Sequence, residues 1–141
     1  MIKTVIDANV FVSSALAPGS NPDKVIGLAR KGRITLLISQ DILKEIRTVF
    51  MYPEIKRRLK ITAKEIDEFL AEIAKPALIT PGVLNLKEVK ADRKDDKYLV
   101  CAVEGQADYI ISGDKHLLNL DNYYGIKIVT PAVFLEMFMD Y

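Results

Sequence analysis

Apolar positions along this chain fall into two alternating spacings. Short β-branched runs predict strands at Thr4 to Asp7, Ile34 to Ile38, Ala77 to Thr80, Tyr109 to Ser112 and Lys127 to Val129. Between them the spacing becomes helical. Asn21-Pro22-Asp23 reads as a helix start with Pro at the first helical position. Ser39 predicts the cap of a helix through Phe50, with Ile42, Leu43, Ile46, Val49 and Phe50 on one face. Pro53-Glu54 opens a basic helical turn, and Thr62-Ala63-Lys64-Glu65 is a capping box ahead of Ile66, Phe69, Leu70 and Ile73, so the middle of the chain predicts a helical hairpin. Further helices are expected from Arg93, over Lys115 to Leu118 and from Pro131. Strands separated by helices favour a parallel sheet covered on both faces. The expected architecture is a three-layer α/β/α fold around a central parallel sheet.

The length of 141 residues suits a single domain, residues 1–141, that buries roughly two-thirds of its unfolded surface. No apolar run approaches the ~20 residues that span a bilayer, and Met1-Ile2-Lys3 leads directly into a strand. A cytoplasmic protein without membrane contact is therefore expected. Cys101 lies alone in the apolar run from Leu99 to Val103, which excludes a disulfide framework and points to a buried structural thiol. His116 is the single histidine, which weakens any histidine-based mechanism. The formal charge of +1 excludes strong global attraction to nucleic acid and leaves room for local basic patches.

Acidic residues change this picture most. Asp7 closes the first strand and Asp114 follows the Tyr109 to Ser112 strand, and ligand sites in such sheets collect at the carboxyl ends of strands. The alternatives are a turn role for Asp7, with Asn9 capping the next helix, and a capping role for Asp114. Glu45 flanks the apolar face of its helix, either pointing toward the sheet edge or keeping its head in water. In Asp92-Arg93-Lys94-Asp95-Asp96 the first and fourth residues suit helix capping. Asp96 does not, because it precedes Leu99 and Val103 by three and seven residues and shares their inward face. Carboxylates brought together repel unless a cation neutralises them, and hard divalent ions prefer oxygen ligands. The set Asp7, Glu45, Asp96 and Asp114 thus predicts a divalent-metal site and phosphodiester chemistry.

The motifs that carry these acids resemble those of PIN-domain nucleases, particularly the bacterial and archaeal toxins of toxin–antitoxin pairs. Val5-Ile6-Asp7-Ala8-Asn9-Val10-Phe11-Val12 is similar to the first acidic motif of that family, and Ser39 to Glu45 to its segment with a helical acid. Asp95-Asp96-Lys97-Tyr98-Leu99 and Ala107 to Leu118 resemble the third and fourth motifs, and Ile128-Val129-Thr130-Pro131 through Leu135 the closing strand and helix.

The resemblance implies a PIN-like fold in which Asp7, Glu45, Asp96 and Asp114 hold one or two Mg²⁺ or Mn²⁺ ions, with Asn9 and Ser112 as supporting polar residues. It also implies endonucleolytic cleavage of RNA, a cognate antitoxin and a homodimer. Candidate RNA contacts are Lys56, Arg57 and Arg58 with Lys44, Arg47, Lys60 and Lys115, although the basic run also reads as an ordinary solvated helix face. Tyr52 is the aromatic residue nearest that run. The apolar terminal segment from Val133 to Met139 exceeds what one sheet contact buries, which also favours a symmetric pair. An RNA-processing or decay nuclease without an antitoxin and a non-catalytic PIN-fold binding module are the alternatives. A receiver domain fits poorly, because Thr130 stands before Pro131 where a lysine is needed, and a haloacid-dehalogenase phosphatase lacks its second acid at Asn9.

Overall fold

Local signals decide most of the elements of the computed structural model, which describes residues 1–86 and 95–139. The chain runs β1 (Lys3–Ile6), α1 (Ala8–Leu16), α2 (Asn21–Arg30), β2 (Thr35–Ile38), α3 (Gln40–Phe50), α4 (Pro53–Leu59), α5 (Ala63–Ala74) and β3 (Leu78–Ile79). It continues with α6 (Asp96–Gly105), β4 (Tyr109–Ile111), α7 (Lys115–Leu120), β5 (Asn122–Tyr123), β6 (Ile126–Val129) and α8 (Pro131–Met139). Ser39 caps α3 by accepting from the Ile42 amide, and Thr62 with Glu65 closes the expected capping box on α5. At α2 the cap is Ser20, so Asn21 is already helical and Pro22 is the second helical residue.

The sheet has the order β3-β2-β1-β4-β6-β5. Every pair is parallel except β5 with β6, an antiparallel edge hairpin that the apolar spacing did not predict. Its turn is closed by Gly125, whose amide donates to Asn122 Oδ1 and whose φ of 80° suits glycine. The sequence signal was therefore turn chemistry rather than hydrophobicity. Ala77 to Thr80 yields only the two-residue β3, half exposed at the opposite edge.

Helix α6 lies across β1, β2 and β4, while α1 packs against α2, α3 and α4, α2 against α8, and α3 against α5. The sheet flanked by helices is the three-layer α/β/α fold. At the end of α6 the chain approaches β2 so closely that a Cβ on Gly105 would stand 2.6 Å from Leu37 Cδ1. The core joins Val5 and Ile6 of β1 to Ile42 and Ile46 of α3, Leu99 of α6 and Ile110 of β4. Cys101 is buried in it and accepts a hydrogen bond from the Thr80 hydroxyl at 3.3 Å. Among the described residues no helix is long and apolar enough to cross a membrane.

The topology also fixes where chemistry can occur. Strand β1 has β2 on one side and β4 on the other, so the connections diverge there and leave a crevice beyond the carboxyl ends of β1 and β4. Asp7 follows the last residue of β1, and Ser112, Gly113 and Asp114 follow the last residue of β4.

Candidate active site

Asp7 is the N-cap of α1, a role the sequence reading had offered to Asn9. Its Oδ1 accepts from the Asn9 amide at 3.1 Å, and Asn9 itself is helical and exposed. Its Oδ2 accepts from the Ser112 hydroxyl at 2.7 Å. The same Ser112 oxygen accepts from the Asp114 amide at 2.9 Å, and Asp114 caps α7 by accepting from the His116 amide at 2.7 Å. Both strand-end acids thus satisfy the capping reading while belonging to one hydrogen-bonded string. Asp7 is only 2% exposed, so its charge sits in a buried, donor-rich position at the switch point.

Helix α6 supplies the next group. Tyr98 is buried, and its hydroxyl oxygen accepts from the Ala8 amide at 3.1 Å, which pins α6 to the start of α1. Burial, followed by the negative charge of Asp7, pushes the Tyr98 phenol far above its ordinary range, and Glu45 adds to the effect. The phenol therefore stays neutral and senses acids from both β1 and α3. The sequence reading missed this role, because a tyrosine on the buried face of a helix looks like core.

Glu45 and Asp96 meet in an open cleft of about 620 Å³, lined by Lys44, Thr48 and Tyr52 of the α3 side and by Asp96 and Lys97 of α6. The Glu45 carboxylate forms an ion pair with Lys97, whose ammonium also stands 5.5 Å from the centre of the Tyr98 ring. Glu45 is therefore engaged rather than free in water. Asp96 is the exception to this pattern of satisfied carboxylates. Its Oδ1 is buried without a hydrogen-bond partner. A buried carboxylate oxygen without a donor is costly, and a cation is the kind of partner that restores it.

That orphaned oxygen, in a cleft that Glu45 also lines, fits a hard divalent ion in its donor chemistry. Among the described residues, however, no three Asp, Glu, His or Cys side chains are drawn into one metal-holding group. Asp7 and the Asp114 amide instead share Ser112, Glu45 and Asp96 share the cleft, and Tyr98 reaches the start of α1 beside Asp7.

The α-helical span of α6 starts at Asp96, and Asp95 directly before it is buried and makes no side-chain capping bond there. The expected cap Asp92 and helix start Arg93 lie outside the described residues. Among the basic candidates, Arg47 is held by Asp67 at 2.9 Å, and the Asp67 hydrogen bond raises its pKa above the ordinary guanidinium value. Lys56, Arg57 and Arg58 lie on α4, the latter two exposed, and Lys115 opens α7. The cations lining the cleft among the described residues are Lys44, one of the candidate RNA contacts, and Lys97, which was not among them.

Comparison with known proteins agrees with this architecture. A model of the PIN domain matches residues 3–116, and an uncharacterized protein of Methanocaldococcus jannaschii, MJ1680, is 33% identical over 145 residues, covering 97% of this chain and 92% of its own length. With the matched region spanning β1 to the start of α7 and therefore all four acids, the chain belongs to the PIN-domain family, a nuclease-type fold.

Proposed function

We propose that residues 1–141 form one metal-dependent endoribonuclease domain, acting as the toxin of a toxin–antitoxin pair and working as a homodimer in the cytoplasm. The observation that carries the nuclease reading is the unpartnered buried oxygen of Asp96 in an acidic cleft at the switch point of a PIN domain. The toxin assignment rests on the likeness of the Asp95 to Leu99 and Ala107 to Leu118 motifs to that subgroup.

Asp96 and Asp7 are the residues assigned to hold Mg²⁺ or Mn²⁺, with Glu45 and Asp114 completing the set. Such an ion, when bound, lowers the pKa of a coordinated water and stabilises charge on phosphodiester oxygens. The rest is the work of the chain. Ser112 fixes the rotamer of Asp7 by donating to Oδ2, and Asn9 contributes through its amide on Oδ1. Tyr98 sets the distance between α6 and α1 through the Ala8 amide. Lys97 neutralises Glu45, and Lys44 provides positive charge at the cleft for a phosphate.

A mixed RNA pool incubated with and without Mn²⁺ tests the proposal. Cleavage that requires Mn²⁺ and disappears in Asp96→Asn supports it, whereas tight RNA binding without turnover assigns the chain to the non-catalytic class of PIN-fold binding modules. Rescue of growth by a small co-encoded protein separates the toxin role from RNA processing or decay.

A further inference from the structure

Helix α3 carries a polar stripe that leads out of the acidic cleft. Lys44, Glu45 and Thr48 follow one another at helical spacing, and Tyr52, two residues beyond the end of α3, lines the same cleft. At 1.5 Å per residue, Glu45 and Tyr52 are separated by about 10 Å along the helix direction. The Thr48 hydroxyl donates to the Lys44 carbonyl at 2.9 Å, which holds it against the helix. Tyr52 differs from the other aromatic side chains nearby. Phe50 and the part-buried Phe69 pack edge to face against the core, whereas Tyr52 is 52% exposed and its side chain makes no hydrogen bond or ring contact among the described residues. Nothing in the hydrophobic core requires an aromatic ring at that place.

From this arrangement we infer that Tyr52 is a stacking platform for an unpaired nucleobase of a single-stranded nucleic acid lying along α3, with a phosphate of the same strand against Lys44. The inference rests on the nuclease reading above and deepens it by naming a substrate contact. A phenol ring offers a face to any base, and stacking of this kind tolerates sequence but requires the base to be free of its duplex partner. The short exposed ledge suits one flanking base rather than a helical stem. The nucleotide next to the cleaved bond is therefore read for being unpaired, not for its identity.

The full chain contains no tryptophan, so Tyr52→Trp introduces a single indole reporter. Titration of that variant with a short mixed-sequence single-stranded RNA, in Ca²⁺ to hold down cleavage, is expected to quench its fluorescence, while the same sequence as a blunt duplex is not. Tyr52→Ala is expected to weaken single-stranded RNA binding by about 5- to 150-fold, the range for loss of one stacked base. Tyr52→Phe is expected to bind within about two-fold of the parent. Unchanged indole fluorescence and an unchanged Kd for Tyr52→Ala, in a chain that still cuts RNA with Mn²⁺, overturn this inference and leave the nuclease reading intact. If RNA is neither bound nor cut, both fail. Equal quenching by duplex and single strand also overturns it.

Discussion

Ser112 and Asp7, separated by 105 residues in sequence, meet at 2.7 Å across the carboxyl ends of β4 and β1. The serine donates to the buried carboxylate and at the same time accepts from the Asp114 amide, so one hydroxyl sets the orientation of both strand-end acids. Replacing Ser112 by Ala leaves a buried charged acceptor with one donor fewer, at a cost of roughly 1–3 kcal/mol. The Ser112→Ala variant is expected to melt earlier and to lose about ten-fold or more in Mn²⁺-dependent cleavage, a loss on the scale of ~1.4 kcal/mol. Thermal denaturation and RNA cleavage of this variant check both effects, and parental activity would remove Ser112 from the site.

Asp95 and Asp96 are neighbours with opposite accounts. Asp96 Oδ1 is buried without a partner, so Asp96→Asn is expected to leave the metal-free fold as stable as the parent or slightly more so, while removing cleavage and the response to Mn²⁺. Asp95 is 7% exposed and has polar interactions of its own, so Asp95→Asn is expected to lower stability by roughly 1–3 kcal/mol and to retain the Mn²⁺ response. Melting curves of both variants, with and without Mn²⁺, decide between them. The reverse outcome would transfer the ligand role to Asp95.

An ion that binds the folded chain alone stabilises it by mass action, by about 2.7 kcal/mol at one hundred times its Kd. For a chain of this length that corresponds to a rise in Tm of roughly 5–10 °C. Lys97→Met is expected to lower Tm in EDTA, because the ammonium no longer neutralises Glu45, and to enlarge the Mn²⁺ shift. Differential scanning fluorimetry gives both numbers, and a flat response to millimolar Mn²⁺ in the parent contradicts the metal assignment.

Burial pushes the Cys101 thiol up to about 11, against which the Thr80 hydrogen bond works only partly. A group whose folded pKa is raised adds stability below its unfolded value, near 8.5, and loses that contribution as pH rises toward the folded value. The native chain is therefore expected to resist alkylation at pH 8 and to lose stability between about pH 8.5 and 11. Rapid labelling of native protein by iodoacetamide at pH 8 would show the thiol to be accessible.

Helix α8 buries Phe134 but leaves Val133 41% and Met139 80% exposed. An apolar helix of this kind is expected to be covered by its symmetry mate. Light scattering at micromolar concentration is expected to give twice 15.8 kDa for the parent chain and a shift toward one chain for Val133→Lys. A parental mass of a single chain would end the dimer proposal.

Periodicity and capping residues sufficed for most helices and for the parallel strands, because those signals act within a few residues of the chain. The Thr62 and Glu65 box and the Ser39 cap are local chemistry and stand where they were read. Asp7 and Asp114 were legible as strand-end acids for the same reason, and Asp96 as an inward acid on its helix. The edge hairpin at Asn122–Tyr123 was not legible from hydrophobicity, since two residues carry no period. Nor was the burial of Asp95, which the spacing reads as a helix-terminus acid.

What the sequence determined by itself was the alternation of elements and where along them the four acids stand, at two strand ends and on two helices. What only tertiary structure decided was pairing across distance. The hydroxyl of Ser112 reaches Asp7, the phenol of Tyr98 senses both Asp7 and Glu45, and Lys97 takes Glu45 as its partner. Arg47 takes Asp67 of α5 as its partner. Local propensity depends on a residue and its near neighbours in the chain, whereas the charge, burial and partners of a side chain depend on which elements the sheet order brings beside it.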